Sequence, residues 1–319
     1  MTRIFHEEDG DLRVLDGAAV AVIGYGNQGR SWALNLRDSG LDVRVHVRAD
    51  ESRHQAEQEG FAAHEISDAS DADVLCVLVP DDVIPHLGLA PRREALVVVA
   101  SGYTPAFGRF EPDCDLGMVA PRMLGPEVRR CYQEGAGFIS AVGVHHDLSG
   151  NAWGRTLAVA KAIGGLRQSA IELTARQEAV LDLAVEQALA PALTHVNQTF
   201  VTEMSTRGIP LEAILVELFL SGEVERTYRL LREEGYAGQL RHHSPTSQYG
   251  QLSRREAYDG IDLATTMHEL VENIANGTFA DEWDAERDEG YPKLNALREQ
   301  HAGEAIAEFE AALRRELGV

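Results

Sequence analysis

The chain has 319 residues, of which 44% are hydrophobic and 25% charged, and its formal net charge is −22 at pH 7. This composition is typical of a globular protein long enough for two domains with cores of their own. The acidic balance argues against nucleic acid and anionic membrane as partners, because both require a basic binding face.

No N-terminal stretch has the basic and apolar regions of a signal peptide, and no apolar run approaches the roughly 20 residues that span a bilayer. The three cysteines, Cys76, Cys114 and Cys131, form no C-x-x-C pair. We expect them to be reduced and partly buried, as in a cytoplasmic protein.

The N-terminal half alternates apolar strands with helical stretches. The predicted strands are Ala19–Ile23, Val43–Val47, Val74–Val79, Leu96–Ala100, Leu116–Ala120 and Ile139–Val144. This alternation predicts an α/β domain of the Rossmann type, a doubly wound parallel sheet with right-handed crossovers.

The first predicted strand runs directly into Gly24-Tyr25-Gly26-Asn27-Gln28-Gly29, and a helical pattern follows. A G-x-G-x-x-G segment between a strand and a helix indicates a dinucleotide-binding turn. We expect Gly24 to allow the tight turn, Gly26 to let the backbone approach a pyrophosphate, and Gly29 to let the helix pack closely on the strand. The N–H groups at the helix start would then face the phosphates. An ordinary glycine-rich turn is the alternative.

Cofactor preference stays open at the end of the second predicted strand. Arg48, Ser52 and Arg53 would bind a 2′-phosphate and favour NADPH. Asp50 or Glu51 would instead accept hydrogen bonds from free ribose hydroxyls and favour NADH. Some of these side chains are expected to be solvated loop charges.

From Gly150 to Leu317 the apolar residues recur at helical spacing, and no strand is predicted there. We therefore predict a dinucleotide-binding domain over residues 1–171 and an all-helical domain over 172–319. In the helical domain Asp182 and Glu186 are four residues apart, so both carboxylates would project from one helix face. Such oxygen ligands suit Mg²⁺. A solvated acidic face is the alternative, and spacing alone favours it.

The segment GYGNQGRSWALNLRDSG resembles the start of the ketol-acid reductoisomerases, which isomerise and reduce acetohydroxy acids in branched-chain amino-acid synthesis. The family commonly has a G-Y-G-S-Q-G turn followed by an A-L-N-L-R-D-S-G helix. The resemblance continues in D-L-A-V-E-Q at 182–187, similar to the family's D-L-F-G-E-Q metal helix, and in G-T-F-A-D-E-W at 277–283.

This resemblance implies a Rossmann domain followed by a helical domain that is knotted. The chain length suits the short-chain class, in which two helical domains intertwine. The resemblance thus implies a homodimer or an assembly of dimers, in which Ser244 and Glu217 would reach a site completed by the partner subunit's Asp182 and Glu186.

The resemblance also implies functional residues. It implies that Asp182, Glu186 and Glu217 hold Mg²⁺, with Glu178 as a further acid one turn earlier. The expected substrate residues are Ser244 and Glu223. Asp81 lies in a segment similar to the family's P-D-E, which faces the nicotinamide half of the cofactor. The expected cofactor-binding residues are Gly24, Tyr25, Gly26, Asn27, Gln28, Gly29, Arg48, Ser52, Arg53, Asp81 and Gly125.

The chain departs from the family pattern at positions expected to be catalytic. Ser101 replaces a histidine, and a serine cannot take up a proton near neutral pH without its own base. Arg122 replaces a lysine; it keeps the charge, holds its proton more firmly, and favours a carboxylate or phosphate. Ser221 falls on the second glutamate of the family's second metal helix. Glu223 would replace that glutamate only if the helix is distorted at Gly222, which leaves one or two metal ions open.

The leading prediction is a ketol-acid reductoisomerase-type enzyme. It would carry out Mg²⁺-dependent isomerisation and NADPH reduction, with NADH as the alternative cofactor, of a 2-hydroxy-2-alkyl-3-keto acid such as 2-acetolactate. The departures leave a second reading, a diverged member that only reduces a keto acid or imine. A third reading is a non-catalytic, nucleotide-binding regulator, against which Asp182, Glu186 and Ser244 argue.

Overall fold

The structure is a computed structural model that describes residues 2–302 and 305–318, without the side chains of 301–307. Within that part of the chain, nine strands form one sheet in the order β1-β9-β8-β7-β6-β5-β2-β3-β4. Their bounds are β1 Ile4–Phe5, β2 Ala19–Ile23, β3 Asp42–His46, β4 Ala63–His64, β5 Val74–Val77, β6 Leu96–Val99, β7 Asp115–Pro121, β8 Ile139–His146 and β9 Ser169–Glu172.

The sheet is parallel from β4 through β7, which confirms the predicted Rossmann-type architecture. Its other side is mixed, because β8 is antiparallel to β7 and β1 is antiparallel to β9. β9 runs parallel to β8. The apolar segments predicted six of these nine strands. Strand direction depends on the connections, and the one between β7 and β8 reverses the chain.

The prediction that no strand follows Gly150 is wrong, because β9 lies at Ser169–Glu172. This strand has only four residues and its two ends are polar, so neither an apolar run nor an alternation marks it. It forms because β8 and β1 supply hydrogen-bonding partners on its two edges.

The core of this part of the molecule lies on both faces of the sheet. Along β2, Val20 and Val22 pack into one apolar cluster, whereas Ala21 and Ile23 pack into a second cluster. Successive strand residues point to opposite faces, so a strand buried on both faces is apolar throughout. That is why β2 has the predicted bounds Ala19–Ile23.

The chain forms two compact units, the first ending at Asp182 and the second beginning at Leu183; we call them unit 1 and unit 2. Unit 1 holds the sheet. The helices that begin in unit 1 are α1 Asn27–Asp38, α2 Glu51–Gln58, α3 Tyr103–Ala106, α4 Gly125–Gln133, α5 Ala152–Ala162 and α6 Ala175–Ala184. Most of α6, which the sequence placed in the helical domain, therefore belongs to unit 1.

The described residues of unit 2 form helices and the turns between them, with no strand. Its helices are α7 Ala190–Thr206, α8 Leu211–Leu215, α9 Glu223–Gln239, α10 Pro245–Ser253, α11 Leu263–Ala275, α12 Thr278–Asp288, α13 Pro292–Ala302 and α14 Ala305–Leu317. Two five-residue segments, Val185–Leu189 and Val216–Leu220, are π-helical. Of the helices described here, none combines the length and the apolar character needed to cross a membrane.

The cysteines Cys76, Cys114 and Cys131 are free and buried, and all three lie in unit 1. Burial raises the pKa of the Cys76 thiol to about 12 and that of the Cys114 thiol to about 11. These thiols therefore stay protonated and unreactive in the folded protein.

Candidate active site

The glycine-rich turn follows β2 and leads into α1. Gly24 has φ +95°, and a Cβ atom on it would lie 2.6 Å from the Leu78 carbonyl oxygen. A Cβ atom on Gly29 would lie 2.2 Å from the Gly24 carbonyl oxygen, so helix and turn approach too closely for any side chain there. At Gly26, which precedes the first residue of α1, a Cβ atom would meet nothing within 4 Å. The start of α1 therefore opens onto free space, where its N–H groups suit a phosphate.

A cavity of about 350 Å³ lies at the carboxyl ends of β2, β5 and β6. Gly26, Asp81 and Ser101 are among the residues that line it. Ligands of open α/β sheets bind at this edge. A cavity of about 560 Å³ lies elsewhere, lined in part by Glu94 and Arg155. Glu94 precedes β6, so this second cavity lies at the amino ends of the strands, where that rule places no ligand.

The start of α4 and the residues just before it pack against the start of α1. The Gln28 side chain donates a hydrogen bond to the Met123 carbonyl (3.4 Å), and the Ser31 hydroxyl donates to the Gly125 carbonyl (2.8 Å). A Cβ atom on Gly125 would lie 2.6 Å from the carbonyl carbon of Asn27. Gly125 thus holds this segment against the turn through a contact that no larger residue permits.

The Tyr25 side chain points away from the cavity. It is buried, packs edge-on against Phe61 and donates a hydrogen bond to Glu59 (2.7 Å), which Arg30 also binds. Burial raises the pKa of the Tyr25 phenol well above its usual range. Only the main chain of Tyr25 therefore remains for contact with a cofactor.

Four of the residues after β3 that bear on cofactor preference each contact a nearby polar group: Arg48, Asp50, Ser52 and Arg53. The Asp50 carboxylate caps α2 by accepting from the Ser52 N–H (3.0 Å), and it also accepts from the Ser52 hydroxyl. These bonds lower the pKa of Asp50. Arg48 lies 3.4 Å from Asp50 with 81% of its side chain exposed, whereas Arg53 binds Glu65 at 2.5 Å.

A cluster of acids and one arginine lies where α6 meets the sheet. The Glu178 side chain is 1% exposed and accepts from the Gly102 N–H (2.6 Å) and from Arg122 Nη2 (2.7 Å). The same Arg122 nitrogen donates to Asp182 Oδ1 at 2.8 Å. Burial raises the pKa of Glu178, against the opposing effects of Gly102 and Arg122. The Arg122 fork therefore binds carboxylates, as its chemistry favours.

Two consecutive residues, Ser101 and Gly102, connect the cavity with the acid cluster. Ser101 lines the cavity, and its hydroxyl accepts from the Tyr103 N–H at 3.1 Å. The next residue, Gly102, binds Glu178. In the sequence Glu178 stood out only as an acid one turn before Asp182. Its burial and its central place in the cluster depend on tertiary packing.

Glu186 and Glu217 each lie in a π-helical segment, Val185–Leu189 and Val216–Leu220. In both, the N–H that closes the segment donates to the carbonyl five residues earlier. Single π turns inside helices occur frequently at functional sites. Asp182 lies in the α-helical part of this run and Glu186 in the π-helical part, so the pair spans the change from one helix type to the other.

The helix is interrupted at Gly222, which has φ +76° and precedes the first residue of α9, Glu223. The Glu223 N–H donates to the Ser221 hydroxyl at 3.2 Å. The distortion on which a role for Glu223 depends is therefore present. Ser244 is exposed and caps α10, its hydroxyl accepting from the Ser247 N–H at 3.3 Å.

The mostly parallel sheet, the glycine turn at the start of α1 and the cavity beside it define a dinucleotide-binding domain of the Rossmann type. Comparison with known proteins specifies the family. Residues 14–169 match the model of the acetohydroxy acid isomeroreductase NADPH-binding domain. Residues 176–318 match that of the ketol-acid reductoisomerase C-terminal domain.

Whole-chain relatives agree with these domain matches. The chain is 37% identical to a ketol-acid reductoisomerase (NADP(+)) of Caldivirga maquilingensis, over 99% of this chain and 98% of that protein. It is 35% identical to the enzyme of the same name from Saccharopolyspora erythraea, over 98% and 97%. The solved structure of an NADH-preferring ketol-acid reductoisomerase from an uncultured archean matches with a TM-score of 0.91 and 30% identity, over 98% of both chains.

The chain therefore belongs to the ketol-acid reductoisomerase family, and it is an NAD(P)H-dependent oxidoreductase of that type. The resemblance seen first in the segment that begins at Gly24 is confirmed over nearly the whole sequence.

Proposed function

We propose that the protein isomerises and then reduces a 2-hydroxy-2-alkyl-3-keto acid such as 2-acetolactate, with Mg²⁺ and NADPH. The observation that supports this most is the path from the cavity to the acid cluster. Ser101 lines the cavity beside the glycine turn, and Gly102 binds Glu178, which shares Arg122 with Asp182. A cofactor on the turn and a substrate near Asp182 would thus be neighbours.

The glycine turn would hold the cofactor's pyrophosphate at the start of α1, with Gly26 leaving the space for it. Asp81 and Ser101, further along the same cavity, would position the nicotinamide half. When bound, NAD(P)H supplies the hydride of the reduction step. The walls formed by β5 and β6 exclude water on the sheet side, since their residues are buried.

In the proposed dimer, Asp182 and Glu186 would hold Mg²⁺ together with Glu217 of the partner subunit, because carboxylates are the donors that this ion prefers. Glu223 of the partner subunit would be a further oxygen ligand. When bound, Mg²⁺ polarises the substrate carbonyl and stabilises developing negative charge. Arg122 orients Asp182 by holding Oδ1, and Glu178 fixes Arg122 in turn. The exposed hydroxyl of Ser244 is available for a substrate contact.

NADPH is the proposed cofactor because Asp50 is engaged in capping α2, in bonds from Ser52 and in a pair with Arg48, whereas most of the Arg48 side chain is exposed. A 2′-phosphate would bind the Arg48 guanidinium, whereas free ribose hydroxyls would compete with Ser52 for hydrogen bonds to Asp50. The two relatives named above carry NADP(+) in their names, and the solved relative is NADH-preferring. The ratio of kcat/KM for NADPH and NADH tests this choice; a preference for NADH would contradict it.

The proposed assembly is a homodimer or an assembly of dimers, with the knotted helical domain that the resemblance implies. An apolar row on α7 and the segment before it supports it: Leu189, Leu193, Val196 and Phe200, which we call the α7 stripe. These side chains are 42 to 55% exposed in the single chain. Their spacing of four, three and four residues places them on one helix face, as in a helix that packs on a partner. Free thiols support the proposed cytoplasmic location.

The decisive experiment supplies protein, Mg²⁺ and NADPH with 2-acetolactate and, separately, with a simple 2-keto acid, and follows NADPH oxidation. Oxidation with acetolactate supports the full reaction. Oxidation with the keto acid alone would replace it with reduction only, which the serine at position 101 and the Arg122–Asp182 pair favour. Tight nucleotide binding without turnover on either substrate would indicate a regulator.

A further inference from the structure

A separate cluster of metal-binding side chains lies at the amino ends of the parallel strands, away from the glycine turn. It consists of Glu111, His145 and His146, and we call it the His–His–Glu cluster. Glu111 lies 3.6 Å from His145 Nε2 and 3.1 Å from His146 Nε2. One ligand atom from each of the three residues lies within 4.8 Å of the others. His146 pairs with Leu116 at the start of β7, which fixes the cluster at this edge.

A β-bulge brings the two histidines together. Val144 is paired with Gly117 and His146 with Leu116, so His145 is an extra residue between two consecutive partners. Adjacent residues of a regular strand point to opposite faces, whereas a bulge re-aims a side chain. Here the two imidazole rings lie 4.6 Å apart and both reach Glu111. The bulge thus converts a dipeptide that could not chelate into a pair of converging nitrogen donors.

The spacing of the donors fits a small divalent ion. Zinc binds histidine nitrogen and carboxylate oxygen at about 2.0–2.2 Å, so neighbouring ligands of a tetrahedral site lie about 3.3–3.6 Å apart. His145 Nε2 lies 3.6 Å from Glu111 Oε1 and His146 Nε2 lies 3.1 Å from Glu111 Oε2, so each nitrogen lies close to that range from one of the two carboxylate oxygens. All three side chains are at least partly exposed, so an ion can enter from solvent.

We propose that Glu111, His145 and His146 form a binding site for a divalent transition-metal ion of the Zn²⁺ type. Two imidazoles select such ions over Mg²⁺, which prefers oxygen donors. Three protein ligands leave a fourth position for water or an external ligand. The ion joins the segment before β7 to the bulged end of β8, and it therefore stabilises the folded form of unit 1 by mass action.

The site is independent of the proposed reaction. It shares no residue with the glycine turn or with the Arg122 cluster, and it lies at the opposite ends of the strands. Loss of metal binding here and loss of catalysis can therefore be observed separately.

The test is a titration of the full chain with Co²⁺, a spectroscopic substitute for Zn²⁺, in excess Mg²⁺ to occupy carboxylate sites. We expect about one Co²⁺ per chain with visible d–d absorption, displaced by Zn²⁺, since Zn²⁺ prefers this donor set. His146→Ala and Glu111→Gln each remove one ligand. Their loss of affinity should exceed the roughly 10–100-fold typical of removing an outer-shell partner.

His242→Ala is the matched control, because His242 forms an even closer histidine–glutamate pair with Glu234 (2.8 Å) outside the three-residue group. This variant should titrate like the wild type. Circular dichroism without metal shows whether each variant is folded, and Zn²⁺ should raise the Tm of the wild type and of His242→Ala only. Equal Co²⁺ titrations for the wild type and His146→Ala would overturn the proposal, as would no Co²⁺ binding in the presence of Mg²⁺.

Discussion

Unit 1 and unit 2 differ in how completely one chain buries their apolar residues. Unit 1 covers both faces of its sheet, and strands such as β5 and β6 are buried at every residue. In the described part of unit 2, the buried apolar residues are Ala188, Ile214, Leu215, Ile274, Ala280 and Leu313. The α7 stripe stays exposed. A single chain thus buries the apolar residues of the cofactor domain, whereas the helical unit keeps the exposed α7 stripe, which the proposed dimer would cover.

Substitution of the proposed Mg²⁺ ligands should have the largest effect on activity, and it tests whether unit 2 also takes part in the chemistry. Asp182→Asn removes a proposed Mg²⁺ ligand of unit 1, and Glu217→Gln removes one of unit 2. Each should lower the Mg²⁺-dependent kcat by at least about 100-fold, the scale of losing one electrostatic contact to a transition state. Glu212→Gln, an exposed acid near Glu217, is the control and should keep wild-type kcat. Full activity of Glu217→Gln would confine the chemistry to unit 1.

Charged substitutions in the α7 stripe test whether this exposed apolar surface is buried in the proposed dimer. Leu193→Asp and Phe200→Asp place charges in the α7 stripe. Each forfeits about 2 kcal/mol of apolar burial, which weakens dimerisation at least about 30-fold. Light scattering across a concentration series measures the shift toward monomer. Gln198→Asp, on the opposite face of α7, should leave the mass unchanged. An unaltered mass in both stripe variants would show that another surface forms the assembly.

The third prediction separates stability from binding within unit 1. Gly29→Ala puts a methyl group against the Gly24 carbonyl, and such overpacking should lower the free energy of unfolding by about 1–3 kcal/mol. Gly26→Ala points into open space, so its Tm should stay near the wild-type value while its NADPH Kd rises by roughly tenfold, or about 1.4 kcal/mol. Denaturant titration and fluorescence titration measure the two. An unchanged Kd in Gly26→Ala would remove the turn from the cofactor site.

The smallest expected effect concerns the pH dependence of unit 1. Burial raises the pKa of Glu178 above its usual 4.5, so folding takes up a proton there. This contribution to stability is complete below pH 4.5 and is lost as the pH rises through the folded-state pKa. The stability of the wild type relative to Glu178→Gln should therefore fall with rising pH. Urea unfolding of both proteins at a series of pH values measures it. If the stability of the wild type relative to Glu178→Gln instead rose with pH, folding would lower rather than raise the pKa of Glu178.

The sequence predicted most of unit 1 because its strands are buried on both faces and stand out as apolar runs, as β2 does. It missed β1, β4 and β9, whose few residues become strands only through their pairing partners. In the candidate site, the motif correctly placed the glycine turn between β2 and α1, whereas the metal role of Asp182 stays a prediction. Spacing could not show the burial of Glu178, the π turns around Glu186 and Glu217, or the bulge at His145, because all of these depend on tertiary packing.

The buried thiols of unit 1 have a practical consequence. Cys76 lies within β5, Cys114 just before β7 and Cys131 on α4, whereas unit 2 has no cysteine. A thiol reagent can therefore modify the protein only when the sheet domain opens. The rate of thiol modification therefore reports the rate of local unfolding in that domain. The order in which the three cysteines react would show which region of the domain unfolds first.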